Sequence, residues 1–139
     1  MEALVDRHLA AGWWGLGLFL VVGAVLELFH AVKLPAYLDV GHETTRLLFR
    51  LGHAHGALVS LVNVAYALTI RARPSCGRQG LSACFLASLA LLPGGFVLGA
   101  IWAKGGDPGL GIVLVPAGAM LLFAGVVGTG RASRRRPES

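Results

Sequence analysis

Four stretches of this chain are each long and apolar enough for a helix to cross a bilayer, and that leaves few folds open to it. Residues 9–29, 51–70, 81–103 and 109–128 are nearly uninterrupted apolar runs, and about 20 such residues in a helix span ~30 Å of hydrocarbon. In lipid each backbone N–H and C=O must bond within its own segment or barrel, so runs of this kind become helices. Only 14% of the 139 residues are charged, against about 25% in a typical soluble domain. The expected fold is an all-α integral membrane protein, a four-transmembrane-helix bundle. Residues 1–130 form its single membrane domain and residues 131–139 a basic, unstructured tail. The first run is too long for a secretory leader and lacks a small-residue cleavage site, so it is expected to remain as the first span.

Basic residues orient the bundle. Arg7, then Arg71, Arg73 and Arg78 between the second and third spans, then Arg131, Arg134, Arg135 and Arg136 in the tail are eight of the twelve Lys and Arg. Under the positive-inside rule they put both termini in the cytoplasm. Residues 33–50 and 104–108 then face outward, as expected of a multi-pass protein of a bacterial inner (plasma) membrane. The net charge of +5 is thus a topology signal. No basic stretch is interleaved with aromatics in the way single-stranded nucleic acid would require, so no nucleic-acid partner is expected. Cys76 and Cys84 match no zinc or redox spacing and carry no assigned role.

The connections differ in character. Residues 31–50 are longer than a hairpin needs; Pro35, Asp39, Gly41 and the Thr44/Thr45 pair read as an irregular segment leading into a helix that starts near Thr44. From there to Ile70 is about 40 Å at ~1.5 Å per residue, so the first turns of that helix stand above the membrane. By contrast, Lys104-Gly105-Gly106-Asp107-Pro108 is a tight turn. Pro93-Gly94-Gly95 is expected to kink the third span and Pro116 the fourth. Gly52 with Gly56 and Gly95 with Gly99 give GxxxG spacings, which let helices, or a flat ligand, come close to the backbone.

The chemistry lies at the facing ends of the first two spans. Glu27 and His30 share a helix face, and antiparallel neighbours would bring His53 and His55 level with them. Ionisable groups at such a depth are costly and usually have a purpose. His53 and His55 point about 200° apart on one helix, so a single metal cannot take both. His53 lines up with Arg46, Arg50, Ala57, Ser60 and Val64, a face suited to the bundle interior and a wet outer vestibule. His55 lines up with the apolar Leu48, Val59, Val62 and Tyr66. A transition metal held by Glu27, His30 and His53 is one option. Haem is the other, with His30 and His53 or His55 as axial ligands, Gly52 and Gly56 giving room, and Arg46 and Arg50 meeting the propionates. The plainer alternative is that these groups only solvate helix ends.

The run Gly52-His53-Ala54-His55-Gly56-Ala57-Leu58 resembles the start of the haem-ligating second helix of haem-copper oxidase subunit I and its small relatives. The resemblance covers one helix of four and implies His55 as the haem ligand, whereas the facial argument points to His53; both stand at this stage. The copper-site histidines have no counterpart, so oxidase chemistry is not implied. A second, architectural likeness is to small multidrug transporters, four-helix chains with a glutamate in the first helix that work as dimers. Here Glu27 lies near the outer end and not mid-membrane.

The expected function is therefore a haem- or metal-binding accessory or assembly subunit of a respiratory-type complex, with the bilayer and other membrane subunits or further copies of itself as partners. A proton- or cation-coupled dimeric transporter is the alternative, and a ligand-free scaffold subunit the third possibility. No catalytic residues are assigned, because no serine or cysteine is placed for activation by a histidine and an acid.

Overall fold

The computed structural model describes residues 1–134; of the expected tail, residues 135–139, with Arg135 and Arg136, lie outside the described residues. Among the described residues, four helices are long and apolar enough to cross a membrane. They are α1 (Glu2–Ala31), α3 (Glu43–Ala72), α4 (Gln79–Ile101) and α5 (Leu114–Ser133), with a single turn of helix, α2 (Pro35–Leu38), between the first two. α5 carries on through Arg131, so the start of the expected tail is helical. The described residues contain no strand; one isolated bridge joins Lys104 and Asp107 across Gly105-Gly106, with Gly105 at φ +59°. That is the tight turn the sequence implies.

α1 ends because Lys33 adopts a left-handed conformation at φ 49°. The Lys33 N–H donates to His30 O and the Leu34 N–H to Phe29 O, the paired bonds of a Schellman stop. Pro35 then starts α2 at a position that needs no N–H. Asp39 Oδ1 accepts from the Gly41 N–H at 2.7 Å, capping a 3-10 turn at Val40–His42 that feeds α3. The irregular segment is thus two short helical turns, and α3 begins at Glu43, one residue before the expected start.

One helix runs unbroken past its proline and the other begins just before its own. α4 is continuous through Pro93. Pro116 lies in the first turn of α5, after a 3-10 turn at Leu110–Val113, where proline's missing N–H costs little.

The spans pack in a row. α1 lies on α3, α3 on α4 and α4 on α5, with a smaller contact between α1 and α4. α3 and α4 are the inner pair, and most of α1 and α5 faces outward: Trp14 is 81% exposed, Met120 72% and Phe123 69%. Met1, Gly77 and Ser133 mark one end of the row, where Gly77 lies near the Met1 side chain and Arg73 reaches Ser133 O. We call this the terminal end and the opposite one the distal end.

Small residues set the seams, as expected where dispersion replaces the hydrophobic effect. A Cβ on Gly12 of α1 would lie 2.5 Å from Val64 Cγ2 and 2.8 Å from Ser60 O on α3, so only glycine allows this approach. On α3, Gly52 lies against Pro93, Phe96 and Val97 of α4, whereas Gly56 is covered by the Phe19 ring of α1. Gly95 and Gly99 of α4 receive Val115, Leu114 and Ile112.

Candidate functional site

The residues singled out in the sequence do lie at the distal end of α1 and α3, but they divide among three places. The first is a cleft of about 630 Å³ between the two helices, lined by Glu27, Arg50 and His53 together with Leu20, Gly23 and Leu51. The His53 Nδ1–H donates to the Phe19 carbonyl at 2.6 Å. Its ring packs on Gly23, where a Cβ would collide with Cε1 and lie 2.8 Å from both ring nitrogens. Nδ1 is thereby committed, and Nε2 is the nitrogen left to meet a ligand. Glu27 and Arg50 are exposed at the cleft rim.

The second place is the loop above. Arg46 Nη1 donates to Tyr37 O at 2.6 Å and Asp39 O at 3.4 Å, and its guanidinium lies 5.8 Å from the Tyr37 ring centre. The expected anion anchor is therefore spent on fastening α2 to α3. His30 also joins this group, edge-on to Tyr37 at 5.5 Å between ring centres.

The third place is the α3–α4 seam. The His55 Nδ1–H donates to Leu51 O within its own helix at 2.9 Å, and its ring rests on Phe96 at 4.8 Å. The two histidines thus occupy different faces, as their angular separation requires. The apolar stripe read beside His55 supplies the buried Leu48, Val59 and Tyr66, and the His53 stripe faces α1 through Ser60 and Val64.

For the ligand sets expected from sequence this has two consequences. Glu27, His30 and His53 are not drawn together, and among the described residues no group of three or more His, Cys, Asp or Glu could hold a metal ion. Gly52 and Gly56 offer no slot for a flat ligand, because protein side chains already fill the space above them.

The most constrained polar constellation lies at the terminal end and involves a histidine the sequence reading passed over. His8 is fully buried between Tyr66, 4.8 Å away, and Phe85, 6.5 Å away by ring centres. The Asn63 Nδ2 group donates to Val59 O at 2.9 Å and reaches Phe85 O at 3.5 Å, so Asn63 Oδ1 is the atom facing His8. It accepts from His8 Nδ1–H at 2.7 Å. In neutral His8 the other nitrogen must then accept, and Ser82 Oγ–H donates to Nε2 at 2.8 Å. One imidazole so ties α1 to α3 and α4 with every polar atom satisfied. Tyr66 extends the polar layer by donating to Cys76 O at 3.0 Å. The available signal was that His8, Asn63 and Ser82 are polar residues in or beside three different spans, which must find partners inside the protein.

No family model, curated protein or solved structure matches the chain. Its function rests on the geometry above.

Proposed function

We propose that this chain is a small haem-binding protein of a bacterial inner membrane, with both termini cytoplasmic, serving as an accessory or assembly subunit of a respiratory-type complex. The observation that carries the reading is the hydrogen bond from His53 Nδ1–H to the Phe19 carbonyl at 2.6 Å. Ligating histidines habitually donate their second ring N–H to such a carbonyl, which fixes the tautomer and the ring plane. His53 would hold the haem iron through Nε2. Arg50 would meet a propionate, and the leucines and small residues of the cleft would flank the ring. The volume of about 630 Å³ is that of an ordinary cofactor site, roughly 300–1,000 Å³. Bound haem would supply one-electron chemistry or serve as cargo for a larger partner. The chain's own contribution is to hold the imidazole, balance charge at the rim and keep the site on the side of the bundle, where a partner subunit can reach it.

The test is the absorption spectrum of protein purified in detergent, with elemental analysis for iron. The wild type should show a Soret band, His53→Ala should lose it, and His55→Ala should keep it. Loss on His55→Ala alone would move the ligand to the α3–α4 seam. A colourless wild type that also takes up no added haemin would leave the scaffold role as the better account.

A further inference from the structure

The outward faces of α1 and α3 follow one repeat. On α3, Leu47, Leu61 and Leu68 fall on a seven-residue period and are each half exposed or more, as are Trp13 and Leu20 of α1. A seven-residue period is the one that keeps a helix face turned toward a neighbouring helix. The repeat ends in charge at both poles. On α1 the register of Trp13 and Leu20 begins at Asp6 and finishes at Glu27, and on α3 Arg50 and Arg71 stand three heptads apart. All four ionisable residues are exposed.

These charges are matched in depth. Glu27 and Arg50 line the His53 cleft at the distal end. Asp6 and Arg71 line a cleft of about 460 Å³ between the same two helices at the terminal end. The α1 residues of the two clefts differ by whole heptads, Asp6 answering to Glu27 and Val5 to Leu26, so both clefts open on the same side of the α1–α3 seam. Each pole of this face therefore offers a carboxylate from α1 and a guanidinium from α3 at one level, with apolar surface between the poles. Midway, a Cβ on Gly17 would meet nothing within 4 Å, which leaves room for a close approach.

We infer that this face binds a second copy of the chain about a two-fold axis along the membrane normal, with Glu27 of each copy meeting Arg50 of the other and Asp6 meeting Arg71. The placement of charge selects this occupant. Two copies inserted the same way are related by an axis that leaves depth unchanged, so a self-complementary face must carry opposite charges level with each other. That condition is met twice, once at each pole. An anionic lipid headgroup would answer the arginines but repel the carboxylates, and acyl chains would leave all four charges unpaired. In the pair, α1 of one copy lies antiparallel to α3 of the other, and the open flank of the His53 cleft is covered. Arg50 has five N–H donors, enough to hold the other copy's carboxylate and an anion in the cleft together. The pairing does not depend on the haem reading.

The test is energy transfer between donor- and acceptor-labelled full chains, each labelled at a C-terminal tag, in liposomes over a range of protein-to-lipid ratios. For the wild type, transfer should rise to a plateau and fall when unlabelled chain is added. Glu27→Arg alone and Arg50→Glu alone set like charges together at two contacts of the symmetric pair, so each should weaken self-association roughly 10-fold or more. Mixing the two variants puts opposite charges together again at both contacts, and the mixture should associate as the wild type does. A charge effect confined to one copy gives no such recovery. Leu61→Ala should weaken association, whereas Phe123→Ala on the exposed face of α5 should not, with circular dichroism melts confirming that every variant is folded. His53→Ala should associate like the wild type, so failure of the haem reading and failure of this one are distinguishable. The inference is overturned if wild-type transfer never exceeds random proximity, if either charge variant alone associates like the wild type, or if the mixture stays as weak as its components. A wild type that stays monomeric would give this face to lipid or to a different subunit.

Discussion

Replacing His8 by alanine should be among the most damaging single changes in the protein, although the residue lies outside every proposed ligand site. The imidazole is fully buried and makes interhelical bonds of 2.7 and 2.8 Å to Asn63 and Ser82. Such bonds between membrane helices are worth about 0.6 kcal/mol on average and up to about 1.7. Their loss also strands Asn63 Oδ1 in a site closed to water, at roughly 1–3 kcal/mol. A gap next to Tyr66 and Phe85 adds a cavity cost of about 24 cal/mol per Å³ left unfilled. Allowing for overlap among these, His8→Ala should cost roughly 2–4 kcal/mol, measured by thermal unfolding in detergent or by steric trapping in bicelles. His8→Phe should restore the packing part and leave the polar part. Ser82→Ala should cost about 1 kcal/mol, and the double variant with His8→Ala should be less damaging than the sum, since the two share a bond. As a control, His30→Ala at the exposed distal end should leave stability unchanged. Should His8→Ala prove no worse than His30→Ala, the buried clamp would not be holding the three helices together.

At the α1–α3 seam, Gly56→Ala should destabilise the fold by about 1–3 kcal/mol because the Phe19 ring must move; an unchanged melting temperature would mean the seam is loose. Lys33→Gly should stabilise by up to about 1 kcal/mol, since glycine takes the left-handed conformation without the Cβ penalty; a lower melting temperature would argue against the Schellman stop. If the arginines set orientation, a cysteine at Gly106 should react with an impermeant maleimide from outside, and a reporter fused after Ser139 should be active only in the cytoplasm. The reverse pattern would invert the proposed site.

The four apolar runs could be read directly because hydrocarbon thickness imposes a length on each, and α1, α3, α4 and α5 contain all four windows apart from residues 102–103 after α4 and 109–113 before α5, where a 3-10 turn leads in. The start of α3 was legible for a local reason, Asp39 and Gly41 forming a cap that any chain context would favour. The site was less so. Angular position on α3 correctly separated His53 from His55, but it could not tell which residue across the seam each would meet. That depended on Gly23 and Phe19, which pair with His53 and Gly56 through the register of α1 on α3. Arg46 was read as facing a ligand because helix periodicity cannot see a loop folding back over it. His8 escaped notice because it precedes the first apolar window and its partners lie 55 and 74 residues away.

The row-like packing has a consequence for how the protein is made. In a closed bundle, the first helix to leave the ribosome waits for the last before its second flank is covered. Here each span rests chiefly on the one synthesised just before it, so the molecule can assemble as a succession of hairpins while the chain is still emerging. Some ties are out of step, among them the bond from Ser82 to His8, which joins α4 to α1. That bond can close only once α4 has been made, when its N-terminal end arrives beside an α1–α3 pair already docked through Gly12 and Gly56. That late latch makes the arrival of α4 the step at which the early hairpin becomes committed. A ribosome-bound chain ending within α3 should still exchange partners, whereas one that includes α4 should not.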